Sequence, residues 1–425
     1  MTGSLAVVGA GPKGIAVAAK ARALAAAGYD APRIVLVDRA GVAASWSGQR
    51  GFTSGRPPLG TPPEKDVGFP YADGWGAQSR AVTTAMAQFS WQRYLIERGL
   101  YADWVDHGRQ RPTHRQWGAY LRAVADKLEA EVVVGEVVQL EVAGQRWRLT
   151  LDGGGVIEAD GVLLSGTGPP ETLPGQPREH PRVRDGRDYW LTGGDALAEL
   201  RPQSVCVLGN GETAAAVVIH LLENLPRDAT VEVLTSRGVL YSRGESYYEN
   251  RLYSDPSDWP RLAAAHRREF LEHTDRGVFS QQAAETLNHA RGFRTLAGRA
   301  VELRASDHQV VIAIEYGAER ELVAYDLVVV AVGFDGRWFE PLLGAEAQAR
   351  LGKALDGRDI ELAIDVDLAV SGLSPPLHLP VLAGLAQGPG FPNLSCLGLL
   401  SDRVLRRYVA LECESTAREE EGNRV

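Results

Sequence analysis

The chain opens on Leu5-Ala6-Val7-Val8-Gly9-Ala10-Gly11-Pro12-Lys13-Gly14, the stretch that most restricts its fold. A short apolar strand runs into a glycine turn, and the alanine-rich residues 15–27 fit a helix. Gly9 permits the turn, Gly11 lets a pyrophosphate approach the backbone, and Gly14 lets helix and strand pack closely. The helix N-terminus then offers unpaired N–H groups and a partial positive charge to phosphate. Glycine is common, so the spacing alone says little. Here residues 33–37 read as the next strand and Asp38 ends it, where a carboxylate accepts hydrogen bonds from ribose hydroxyls. The plain alternative is an ordinary strand–turn–helix with a solvated Asp38. With all three parts present, a dinucleotide site is expected at Gly9, Gly11, Pro12, Gly14 and Asp38.

A second fingerprint follows: strand 204–208, the turn Gly209-Asn210-Gly211-Glu212-Thr213-Ala214, and a helix from Ala215. Alanine in the third glycine position is an accepted variant. The next strand, 231–234, ends in Thr235-Ser236-Arg237 rather than in an acid. Small hydroxyls beside an arginine suit a 2′-phosphate, so NADP(H) is expected here at Gly209, Gly211, Glu212, Thr213, Ser236 and Arg237. A solvated surface arginine is the plain reading of Arg237. An acid in one site and Ser/Arg in the other suggest FAD first and NADPH second. An internal echo agrees: Asp160 to Gly166 and Asp326 to Gly333 both read as a buried strand running into a glycine.

At 425 residues the chain exceeds one typical core. The fold class expected is α/β, with two dinucleotide-binding, Rossmann-like domains and a small, mostly helical insert. Residues 1–170 would begin the FAD-binding domain, 171–334 would form the NADPH-binding domain, and 335–425 would complete the first and end in a polar tail. Residues 41–76, rich in Gly and Pro, are too broken for regular structure yet too aromatic for disorder. Helices are expected at 86–98 and 113–128. The insert, 240–290, carries helical patterns at 260–272 and 281–290. It is a substrate lid or a stabilising decoration. Near the C-terminus a loop, a strand and a helix capped by Ser401 or Asp402 are expected.

The net charge of −9 argues against nucleic acid or an anionic membrane as partner. No apolar run is long enough to span a membrane, and no signal peptide is evident, so a cytoplasmic protein is expected. Cys206, Cys396 and Cys413 form neither a redox pair nor a metal cluster. That excludes a disulfide-reductase mechanism and any metal site built on them.

Four further stretches make the comparison specific: Leu59 to Tyr71, Arg243 to Trp259, His273 to Ser280, and Leu385 to Leu405. With the two fingerprints, they resemble the siderophore-type flavin N-hydroxylating monooxygenases, most closely the L-lysine N6-monooxygenases of mycobactin and nocobactin biosynthesis. The resemblance implies N6-hydroxylation of free L-lysine by O2, with NADPH reducing FAD and oxygen added to the flavin as a C4a-hydroperoxide. It implies that Lys65 binds the substrate carboxylate, that Asn250 and Ser401 line the substrate, and that Trp46, Gly60 and Leu400 lie by the flavin. Ser47, Gly60 and Asp275 stand where ornithine-type relatives carry histidine, glutamine and asparagine, and those relatives carry an arginine near His114. Asp275 would bind the substrate α-amine or ε-amine, or pair with Arg276. A Baeyer–Villiger signature is absent. The competing readings are an L-ornithine N5-hydroxylase and a catalytically silent FAD/NADPH sensor. A homo-oligomer is compatible with either.

Overall fold

The computed structural model describes residues 3–48, 53–72 and 74–410. Cys413 and the expected polar tail lie outside them.

Two parallel sheets of five strands organise the chain, and they share one plan. In the first, Ser4–Val8 lies central, between Arg33–Asp38 and Gly161–Leu164, with Val132–Val134 and Leu377–His378 outermost. In the second, Ser204–Leu208 is central, between Thr230–Thr235 and Leu327–Val330, with Phe293–Ala297 and Val183–Asp185 outermost. Both central strands are buried on both faces, as parallel strands under helices must be. The fold is therefore α/β with two Rossmann-like sheets.

The echo seen in the sequence is structural. Each half contains a three-stranded antiparallel meander, Val137 to Ala159 in one and Arg299 to Tyr325 in the other. Each meander leads into the strand beside the central one, and an aspartate stands at the junction. Asp160 accepts hydrogen bonds from the Ser4 N–H and hydroxyl at 2.7 and 2.8 Å. Asp326 does the same for Ser204 at 2.9 and 3.1 Å.

Two expectations need correction. The helix expected at 86–98 is two helices, Ser79–Ala87 and Trp91–Glu97. Ser90 divides them, because its Oγ accepts the Arg93 N–H at 3.1 Å and caps a new first turn. Residues 388–396 form no strand, and the helix Leu397–Arg406 starts before Ser401 and Asp402. The Asn393 side chain takes the Ser395 N–H at 2.9 Å and turns the chain into that helix early. Neither Ser401 nor Asp402 is therefore a cap. Ser401 donates to the Leu397 carbonyl at 2.8 Å, and Asp402 takes the Lys20 ammonium at 2.6 Å and the Trp75 indole N–H at 2.7 Å. Lys20 and Asp402 are both buried, and the pair locks the C-terminal helix to the fingerprint helix Pro12–Ala26.

The helix expected at 113–128 and the buried places expected for Cys206 and Cys396 agree with the structure. Helix His114–Leu128 carries the Thr113/Gln116 capping box. Cys206 and Cys396 are buried core residues. Residues 41–76 form only short 3-10 turns among the described residues. No described helix is long and apolar enough to cross a membrane, and no described cluster of His, Cys, Asp and Glu could hold a metal ion.

Candidate functional site

The two glycine turns are built alike. Gly9 and Gly209 have φ of 110° and 125°, values that a side chain disfavours. Their N–H groups bond the carbonyls of Val37 and Leu234 at 2.7 and 3.1 Å. A Cβ on Gly14 would strike the Gly9 carbonyl. By contrast, a Cβ on Gly11 or Gly211 would have no atom within 4 Å. These two residues cap their helices without a side-chain hydrogen bond, so the first-turn N–H groups stay open. Pro12 occupies the first turn beside them. In the second turn, the Asn210 side-chain amide nitrogen is buried and has no partner. Open helix N-termini fit dinucleotide phosphates in both places, and the second adds an orphaned donor.

Asp38 is not a solvated strand end. Its carboxylate takes the Ala10 N–H at 3.0 Å and the Ala40 N–H at 2.9 Å, holding the first turn against the second strand. In the equivalent register of the other sheet stands Thr235, whose Oγ1 takes the Arg237 N–H at 3.2 Å. The Arg237 guanidinium turns back onto the end of helix Ala264–Thr274. It donates to the Glu272 carbonyl at 2.7 Å and lies 5.2 Å from the Tyr241 ring centre. Ser236 lines a cavity of about 560 Å³ beside Arg299, Glu315 and Tyr316. Glu212 begins its helix and takes both the N–H and the hydroxyl of Ser280, at 2.9 and 3.0 Å. Thr213 follows it, packed near Gly186.

Four segments distant in sequence converge between the sheets. The Lys65 ammonium of the first half reaches the Asn250 side-chain oxygen of the insert at 3.3 Å. Asn250 lies on helix Tyr247–Ser254, which has its own capping box, Ser246/Glu249. The Asn250 amide donates to the Glu245 carbonyl at 2.8 Å, so its oxygen is the end left to face Lys65. Asp275 at the end of the next insert helix takes the Asn393 amide at 2.9 Å, while Arg276 pairs with Glu361 instead. Lys13 in the first fingerprint donates to the Pro392 carbonyl at 2.7 Å. The loop after Lys65 meets the same C-terminal turn, through the Gly398 N–H to the Phe69 carbonyl at 2.7 Å. These contacts join fingerprint helix, loop, insert and C-terminal turn around one centre.

Burial holds Lys65 below the usual lysine range; Glu245 opposes this, and Arg243 and Arg111 add to it. Burial also brings Lys13 down to about 8. Gly60 gives its carbonyl to Arg111 at 2.9 Å, and its missing side chain leaves room facing Glu212 and Arg243. Trp46 packs edge-on against His114, ring centres 5.0 Å apart. His114 is bonded to Thr53 at 2.8 Å and held down at about 4 by burial, so it is neutral near pH 7. Leu400 and Ser401 are fully buried in the C-terminal helix, and the Ser401 hydrogen bond stays within that helix. The structure thus brings Lys65 and Asn250 together and places Asp275 on the same ring of contacts. Ser401 is not hydrogen-bonded to any of them. Lys13, Arg111, Arg243 and Glu245 escaped the sequence reading. The visible signals were a lysine inside the first fingerprint and the place of Arg243 and Glu245 in the stretch Arg243 to Trp259.

Residues 81–335 match the family described as L-lysine 6-monooxygenase/L-ornithine 5-monooxygenase. The chain is 43% identical over 417 residues to an L-lysine N6-monooxygenase, MbtG, of Mycobacterium sp. (strain MCS), covering 95% of each chain. It is 42% identical over 418 residues to MbtG of Mycobacterium tuberculosis (strain ATCC 25618 / H37Rv), again covering 95% of each. Among solved structures it is similar to the lysine monooxygenase NbtG from Nocardia farcinica, with a TM-score of 0.83 and 39% identity, over 95% of this chain and 100% of that one.

Proposed function

The chain belongs to the L-lysine 6-monooxygenase/L-ornithine 5-monooxygenase family, and from that premise we propose that Lys65 and Asn250 hold free L-lysine for N6-hydroxylation. The enzyme is an L-lysine N6-monooxygenase that uses a flavin and NADPH, and O2 is the oxygen donor in this reading. The observation that carries the substrate assignment is the meeting of Lys65 and Asn250 at 3.3 Å, where a loop of the first half faces the insert of the second.

The two open helix N-termini would hold the dinucleotides, FAD at Gly9, Gly11, Pro12, Gly14 and Asp38, and NADPH at Gly209, Gly211, Glu212 and Thr213. Ser236 and Arg237 are proposed for the 2′-phosphate. Trp46, Gly60 and Leu400 are proposed for the flavin, and Ser401 for the substrate side of it. When bound and reduced, the flavin supplies the activated oxygen that amino-acid side chains lack.

This chain's own part is to bind, orient and exclude water. Lys65 pairs with the α-carboxylate and thereby directs the far amine away from itself. A free lysine side chain titrates at about 10.4, and only its neutral form is nucleophilic. Cations around the site and loss of water both favour that neutral form. Asp275, already hydrogen-bonded by Asn393, is left to face an amine of the substrate.

The test is hydroxylamine formed per NADPH consumed, with FAD and air, comparing L-lysine, L-ornithine and no substrate. Product from L-lysine is expected. Product from L-ornithine alone would overturn the substrate. NADPH consumption that yields only hydrogen peroxide in every tube would overturn the hydroxylation.

A further inference from the structure

We infer that Arg243 is a second carboxylate receptor, closing with Lys65 on the α-carboxylate of the substrate. The inference rests on L-lysine as the substrate of this site.

Arg243 begins the insert, and its N–H is fixed to the Phe279 carbonyl at 2.7 Å. Its Nη1 lies 3.9 Å from where a Cβ on Gly60 would stand, so it borders the space beside this glycine, across from Glu212. It is close enough to Lys65 for its charge to oppose the Lys65 ammonium. Its Nε is buried and has no partner.

Glu245 also acts on Lys65, yet within 4 Å the pairing of the nearby charges is uneven. Arg111 is matched by Glu245 at 3.5 Å. Glu212 is turned toward Ser280 and pairs with no cation within 4 Å. Among the described residues neither Lys65 nor Arg243 has a carboxylate within that distance, and Lys65 meets only the neutral Asn250. Two half-buried cations held side by side repel each other, and a guanidinium left short of partners costs stability. A carboxylate entering between them relieves both, because the planar fork of an arginine matches its two oxygens. The long lysine substrate is then gripped by its head from two sides while its tail extends to the reacting end.

A dinucleotide phosphate is the other anion that could satisfy this guanidinium, since Glu212 of the second fingerprint stands across from it. The experiment separates the two. Arg243→Met and the parent enzyme, both loaded with FAD, are titrated with L-lysine, with cadaverine, which lacks the carboxylate, and with NADP+. The dissociation constant for L-lysine should rise about ten- to hundredfold, the range of a charge-assisted hydrogen bond, and by far more than that for cadaverine or NADP+. Equal weakening of L-lysine and cadaverine would overturn the inference, because the carboxylate would not be what Arg243 reads. Weakening of NADP+ with L-lysine unchanged would overturn it in favour of a phosphate contact. A parent enzyme that makes no hydroxylamine from L-lysine would overturn the underlying substrate reading, whatever Arg243 does.

Discussion

Lys65 and Asn250 stand 185 residues apart in the chain and 3.3 Å apart in space. The contact is polar, half-buried and bridges the two halves of the molecule. Lys65→Met should raise the KM for L-lysine roughly ten- to hundredfold, with a smaller change in kcat. Asn250→Ala should do likewise, and the double variant should lose less than the product of the two, because both act on one bound molecule. An unchanged KM in Lys65→Met would remove it from the site.

Arg237→Ala should separate two roles. If the guanidinium binds a 2′-phosphate, kcat/KM falls for NADPH far more than for NADH. Its present partners are the carbonyls at the end of helix Ala264–Thr274. Equal loss with both cofactors would leave it only as a cap for that helix end.

Gly11 and Gly14 should respond in opposite ways. Gly11→Ala meets open space and should fold with an unchanged melting temperature, yet bind FAD on the order of tenfold more weakly, because the methyl group stands where the phosphate approaches. Gly14→Val meets the Gly9 carbonyl and should lose about 1–3 kcal/mol or more of stability. Full FAD retention in Gly11→Ala would count against a phosphate at that turn.

The buried pair Lys20–Asp402 invites a stability test. Lys20→Met leaves the Asp402 carboxylate with only the Trp75 N–H and should cost about 3–5 kcal/mol in chemical denaturation. Adding Asp402→Leu should recover part of that loss. No recovery would mean that the Trp75 hydrogen bond, and not the stranded charge, carries the cost.

His378 should make the protein acid-sensitive. It is fully buried, with Nδ1 against the Asp367 carbonyl at 2.8 Å and Nε2 against the Tyr408 hydroxyl at 2.9 Å. Burial holds it down at about 4. A folded value below the unfolded one of about 6.5 means its contribution is complete above that pH and is lost as the pH falls toward 4. Asp66, pushed up to about 6 by burial, acts in the opposite sense over the same window. The informative measurement is therefore the difference in melting temperature against pH between the parent and His378→Asn. The parent should fall more steeply below pH 6.5, and parallel curves would refute the assignment.

Much of the frame was legible because parallel strands leave continuous apolar runs. Leu5 to Val8 and Val205 to Leu208 declare themselves, and the glycines after them have few other uses. The break at Ser90 was not legible, since a serine serves as well inside a sequence of helical pattern as at a cap. The early start of the C-terminal helix depends on Asn393 folding back on Ser395, a local contact with no periodic mark. At the site, Lys65 and Asn250 came from resemblance alone. Arg243 stood in a stretch that carries the resemblance and Arg111 was not singled out, and neither had a role until the fold set them around Gly60.

The paired clasps Asp160–Ser4 and Asp326–Ser204 bear on how such a molecule could change its diet of nucleotides. With meander, clasp, central strand and glycine turn shared, the two halves are one device written twice. What distinguishes them chemically is concentrated where the second strand of each sheet stops, at Asp38 in one copy and at Thr235 to Arg237 in the other. In the proposed reading, cofactor preference is thus a short word at the end of a long common sentence, open to revision without disturbing the architecture that carries it.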